Sequence, residues 1–179
     1  MNTERWVGLG LLVMLVAHAA VKVETHILPE MLWFCHLATF TSALGLLVGR
    51  PRLAVSGGLF HLMVGGPAWL LDLARHGTTL TSTLLHVATP AVGLWAATRH
   101  GVPRALALQG AAIYGVGVAL GRLLDPALNV NMAWRAYEIW PPSTPMALYH
   151  AVNLGALLAL LSAARWGLER WGKVGIAHD

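Results

Sequence analysis

The chain has 179 residues and a formal net charge of +4, with 56% of its residues hydrophobic and only 11% charged; its mean hydropathy is +0.61. A soluble domain of this length carries about a quarter charged residues, so the composition excludes an ordinary cytosolic protein and predicts an all-α polytopic membrane protein. The twelve Lys and Arg residues stand singly or in pairs at segment ends, a pattern that membrane topology explains better than nucleic-acid binding, and a single cysteine excludes an intrachain disulfide or a Cys-based metal cluster.

A membrane span needs about 20 mostly apolar residues. The first candidate, 6–23, is long enough to span and lacks a small-residue cleavage site, so no cleavable signal peptide is expected. The second, 31–49, opens with "MLWFCHLATF". The third, 53–73, follows Gly49-Arg50-Pro51-Arg52 and contains Gly65-Gly66-Pro67, which should bend it. The fourth, 79–98, follows Arg75-His76-Gly77 and contains Thr89-Pro90; the fifth, 105–123, follows "HGVPR". A longer connection, "DPALNVNMAWRAYEIWPPSTP", then leads to the sixth, 146–166. Gly45 with Gly49, and Gly117 with Gly121, have the small-xxx-small spacing of close helix packing. The expectation is a single transmembrane helical domain over residues 1–179, a six-helix bundle.

Positive charge orients it. With both termini cytoplasmic, the inner segments hold Arg5, Arg50, Arg52, Arg99, Arg104, Arg165, Arg170 and Lys173, and the outer ends hold Lys22, Arg75, Arg122 and Arg135. Trp6, Trp95, Trp166 and Trp171 then mark the inner interface, and Trp33, Trp134 and Trp140 the outer one. The expected location is a bacterial inner membrane.

In that frame the polar residues share one side. His18 lies near the outer end of the first span, Cys35 and His36 in the outer turns of the second, His86 and His150 in those of the fourth and sixth, and Asp72 at the outer end of the third. His61 is the exception, near mid-membrane, and receives no role. Ionisable side chains in a span are costly unless they face a cavity or a partner, so the set predicts a polar cavity on the outer side.

Three chemistries suit such a cavity. A cysteine nucleophile attacks as its thiolate and needs a base. His36 is adjacent in sequence but points about 100° away on a helix, so His86 is the better base, with Thr83 or Thr89 as ring-orienting or oxyanion hydroxyls and Asp72, His76 or His150 as a third member. Alternatively, His18, His36, His86 and His150 could ligate a haem or a divalent metal, although no HExxH or paired HxxxH occurs. A third class is a small-solute-binding transporter component, lined by Trp69, Trp134, Trp140, Tyr137, Asn129, Asn131 and Glu138.

The stretch "MLWFCHLATFTSALGLLV" resembles the second helix of the androgen-induced and androgen-dependent membrane hydrolases, and of YwaF-type integral membrane proteins with their acyltransferase relatives. "LLHVATPAVGLWAATRHGVPR" is similar to their histidine helix, and "NMAWRAYEIWPPSTP" to their aromatic, proline-ended segment before the last helix. The likeness spans roughly residues 31 to 150. It implies lipid acyl chemistry with Cys35 as nucleophile and His86 as base. Cysteine stands where the hydrolases use threonine, and the connections are shorter than theirs.

The expected function is therefore an integral membrane lipid hydrolase or acyltransferase. Cys35 and His86 are its catalytic pair, and His18, His36, Thr83, Thr89, Asp72, His150, Asn131 and Trp134 line the site. No cofactor is required, and the partner is a membrane lipid rather than nucleic acid.

Overall fold

The computed structural model describes residues 2–137 and 140–170, with the side chains of Arg75 and His76 outside the described set. Glu138, Trp171, Lys173 and the side chain of His76, all named above, therefore lie outside the described residues. The protein is all-helical: 79% of the described residues are helix, arranged as six rods, and there is no strand among them.

Helix α1 runs Thr3–Glu24 and begins where the Asn2 side chain accepts from the Arg5 amide. Helix α2 is Phe34–Leu47. It ends at Gly49, whose φ of 74° lets the Arg50 amide fold back onto the Gly45 carbonyl at 2.7 Å. Pro51 then opens α3, Pro51–Phe60, at a position that needs no amide hydrogen. A π turn, His61–Gly65, joins α3 to α4, Gly66–His76, in one rod. Its cause is Pro67, which has no N–H to give and whose ring crowds the carbonyl four residues back. The Gly66 amide reaches the His61 carbonyl instead.

Helix α5 is Leu80–His100, capped by the Thr79 side chain and carrying Pro90 in its interior. Helices α6, Leu106–Gly121, and α7, Met146–Arg170, complete the chain.

Four rods are long and apolar enough to cross a membrane: Thr3–Glu24, Pro51–Ala74, Leu80–His100 and Met146–Arg170. The other two fall short of the expected 31–49 and 105–123. At 1.5 Å per residue, α2 is about 21 Å long and α6 about 24 Å, against a hydrocarbon core of about 30 Å. The reasons are local. Residues Leu28–Leu32 wind as a 3-10 turn begun by Pro29, and Trp33 is extended, so this apolar stretch does not join α2. After Gly121 the chain turns back over the end of α6.

Packing depends on small residues, because lipid supplies no hydrophobic drive between helices. A Cβ on Gly93 of α5 would lie 2.6 Å from the Gly58 Cα of α3, so these backbones are in direct contact. A Cβ on Gly8 of α1 would lie 2.9 Å from the Ala43 carbonyl of α2. Gly117 and Gly121 do not mate with a glycine stripe. Gly117 receives the Phe34 ring, and Gly121 receives the backbone at Val130. The core between the rods is filled by Phe60, Leu46, Leu59, Val55, Leu106 and Leu161, each 0–1% exposed.

Candidate functional site

The polar interior starts at Thr39, one turn after Cys35 on α2 and fully buried. Its hydroxyl donates to the Cys35 carbonyl at 2.9 Å. It also lies 2.8 Å from the Thr89 hydroxyl of α5 and 3.4 Å from Nδ1 of His61. A threonine has one hydroxyl hydrogen, and the Cys35 carbonyl takes it. Thr89 and His61 must then donate to Thr39. The His61 ring is thereby fixed with its proton on Nδ1 and a lone pair on Nε2, and that buried Nε2 has no hydrogen-bond partner.

This nitrogen and Cys35 both border Gly65. The point where a Cβ on Gly65 would fall is 3.4 Å from His61 Nε2 and 3.1 Å from Cys35 Cβ. His61 and Cys35 thus flank the same bare patch of backbone, inside the π turn, and only glycine leaves it open. Cys35 is half-buried.

Three more histidines surround this node. The His86 ring meets the edge of His61 with centroids 4.7 Å apart, and Trp69 stacks on its other side at 5.0 Å. Its Nδ1 donates to the Ser82 carbonyl at 2.9 Å, leaving Nε2 with a lone pair. His36 donates from Nδ1 to the Glu30 carbonyl at 3.0 Å, and Glu30 is held by Lys22 at 2.5 Å. His18, bonded through Nδ1 to the Thr81 hydroxyl at 2.9 Å, lies against His36 with ring centroids 4.9 Å apart. Helices α1, α2 and α5 and the π turn therefore bring His18, His36, His61 and His86 together near Cys35.

The remaining expected residues fall elsewhere. His150 belongs to a second cluster, where its Nδ1 is 2.8 Å from the Tyr114 hydroxyl and Tyr114 stacks on Phe34. Thr83 bonds back to its own helix at the Thr79 carbonyl and takes no part in the node. Asp72 is exposed on α4, with its charge in electrostatic range of His86. Trp134 donates to the Gly121 carbonyl at 3.2 Å under the Arg122 guanidinium.

Asn131 is a clamp rather than a cavity wall. It is 1% exposed, accepts from the Phe34 amide at 2.7 Å, and donates to the carbonyls of Leu32 at 2.7 Å and Gly117 at 2.8 Å. It thus caps the first turn of α2 from 97 residues away, the turn that carries Cys35 and His36. Its φ of 55° is a left-handed conformation that asparagine tolerates better than most residues.

Among the described residues no group of three or more His, Cys, Asp or Glu side chains is arranged to hold a metal ion. His61 and Thr39 had no place in the expected site. The signal for them lay in Gly65-Gly66-Pro67, which displaces the helical register just where His61 begins the π turn, and in the i, i+4 spacing of Cys35 and Thr39.

Fold and site together define an all-helical protein, with four helices able to cross a membrane and a buried array of imidazoles, hydroxyls and one thiol. Compared with known protein families, curated proteins and solved structures, the chain matches none.

Proposed function

We propose that this protein is an integral membrane acyl hydrolase or acyltransferase acting on lipid esters, with Cys35 as nucleophile and a histidine base. The observation that carries the reading is the Thr39–His61–Cys35 arrangement: a ring oriented through Nδ1, with an unpartnered buried Nε2 that borders the same glycine, Gly65, as the Cys35 Cβ. His61 is then the base, and His86 packs against it. In this reading the chain crosses the membrane six times with both termini cytoplasmic, α2 and α6 spanning a locally thinned region. The site lies toward the outer face of a bacterial inner membrane.

The steps follow from that geometry. Nε2 of His61 takes the Cys35 proton, and the thiolate sulfur attacks the ester carbonyl carbon. The C–O bond to the alcohol breaks as the S-acyl bond forms, and His61 returns the proton to the departing oxygen. Water or an acceptor alcohol then gives its proton to His61 and attacks the thioester carbonyl. Cys35 leaves as thiolate and recovers the proton. The Cys35 amide, in the first turn of α2 where helix geometry supplies no acceptor, is the nearest oxyanion donor. Thr89 is occupied by Thr39.

The test is incubation of the purified protein with phosphatidylcholine and phosphatidylglycerol vesicles, followed by intact-mass analysis. An acyl adduct on Cys35 that hydroxylamine removes is expected, absent in Cys35→Ser and slowed by about 10²–10⁴ in His61→Gln. Lipid turnover undiminished in Cys35→Ser would overturn the mechanism.

A second reading, haem or divalent metal binding, draws on one observation: His36 and His86 both donate from Nδ1 to a carbonyl and so keep Nε2 as a lone pair, the orientation that metal-ligating histidines use. A Soret band or stoichiometric metal in the purified protein, lost in His36→Gln and His86→Gln, would favour it over acyl chemistry.

A further inference from the structure

At the opposite end of the bundle from Cys35, a cavity of about 220 Å³ opens between the start of α6 and the last turns of α7. We propose that it binds the phosphate of an anionic phospholipid headgroup. This inference is independent of the acyl-transfer reading.

Arg104, Ser162, Arg165, Trp166 and Glu169 line its polar side, and Leu161 and Ala107 its apolar side. Arg165 is held in place: its Nε donates to Glu169 at 2.5 Å and its Nη1 to the Arg104 carbonyl at 2.8 Å. Among the described residues its second terminal nitrogen has no hydrogen-bond partner. The Arg104 guanidinium is exposed and, among the described residues, makes no hydrogen bond or ion pair. Arg170 adds a third guanidinium, stacked 4.4 Å over the Trp166 ring. Two lining arginines against one glutamate, with Arg170 stacked on the lining Trp166, leave the rim positive, and the first turn of α6 adds the positive end of its helix dipole.

The surroundings say which phosphate fits. Leu108 on α6 and Leu160 on α7 are 72% and 47% exposed, so both helices present apolar flanks at the cavity's height. Trp166, 59% exposed, has the place of an interfacial tryptophan. A ligand with an anionic head and hydrocarbon chains satisfies both halves of the cavity, whereas inorganic phosphate satisfies only the arginines. Basic pockets between membrane helices bind lipid heads by this division of labour.

The experiment uses the full chain, purified from mixed phosphatidylglycerol and phosphatidylcholine micelles and examined by native mass spectrometry. Retention of phosphatidylglycerol in preference to phosphatidylcholine is expected, falling about fivefold in Arg104→Gln and further in Arg104→Gln/Arg170→Gln, at about a factor of five per charge. Among the described residues the Arg104 side chain has no partner to lose, so an unchanged Tm in Arg104→Gln will separate lost binding from lost folding. Equal retention of the two lipids, or retention unchanged in both variants, would overturn the proposal. Displacement of the lipid by inorganic phosphate alone would overturn the lipid assignment and leave a free-anion site.

Discussion

Replacing Asn131 with alanine should be among the most damaging single changes in the protein. The side chain satisfies the Phe34 amide and the carbonyls of Leu32 and Gly117 at 2.7–2.8 Å. The substitution orphans a partly buried amide, at about 1–3 kcal/mol, and removes two further hydrogen bonds worth about 0.5–1.5 kcal/mol each. It also asks alanine to adopt a φ of 55°, at a cost of about 1–2 kcal/mol. Together these give about 3–8 kcal/mol. At about 2–4 °C per kcal/mol for a chain of this size, Tm should fall by more than about 6 °C. A fluorogenic thiol dye reads this directly, because the one cysteine sits in the turn that Asn131 caps and its exposure reports loss of that turn. Asn131→Gly separates the contributions: it loses the same hydrogen bonds without the backbone cost and should lie about 1–2 kcal/mol above alanine. A Tm within about 2 °C of wild type for Asn131→Ala, less than 1 kcal/mol on that scale, would refute the docking of residues 129–132 onto α2.

Gly58→Ala should cost about 1–3 kcal/mol by overpacking, because its Cβ would meet the Gly93 backbone. Gly115→Ala, with open space around it, should instead gain about 0.5–1 kcal/mol from helix propensity; the pair of thermal-shift measurements tests the α3–α5 crossing. Thr39→Val keeps the volume and loses three hydrogen-bond contacts, so it should destabilise by about 1–3 kcal/mol and slow Cys35 acylation, with Thr39→Ser restoring both. Equal acylation in Thr39→Val and wild type would remove Thr39 from the orientation of His61. Glu4→Gln breaks the half-exposed pair with His100, 2.7 Å apart, and should change stability by no more than about 1 kcal/mol. A larger loss would mean that the pair carries a structural role beyond its exposed charges.

Much of the fold was legible because hydropathy and punctuation act locally. Gly49, Gly77 and Gly101 end three helices at positive φ, Pro51 begins one, and the apolar runs between them become rods. The lengths of α2 and α6 were not legible, because nothing in an apolar stretch says where it stops being α-helical. Residues 28–33 are apolar enough to extend α2 but are diverted by Pro29 and held by a hydrogen bond from Asn131. That bond spans 99 residues and leaves no local signal. Asn131 itself reads as a loop residue lining the site, and its role as a cap on a distant helix exists only in three dimensions.

The site shows the same division. Depth along each span brought His18, His36 and His86 to one end of the bundle, but depth says nothing about which side of a helix a ring faces. By depth His61 lies too far inward to join them. The π turn changes that: it inserts an extra residue into one turn of the rod and directs His61 toward Thr39 and the gap at Gly65, next to Cys35. Pro67 and the two glycines before it are therefore more than a bend in a span. They are the sequence feature that brings an imidazole from the middle of the bundle to the only thiol in the chain. A Pro67→Ala chain, able to close an ordinary α-turn there, should fold with His61 turned away from Cys35. If it still acylates Cys35 at the wild-type rate, His86 and not His61 is the base.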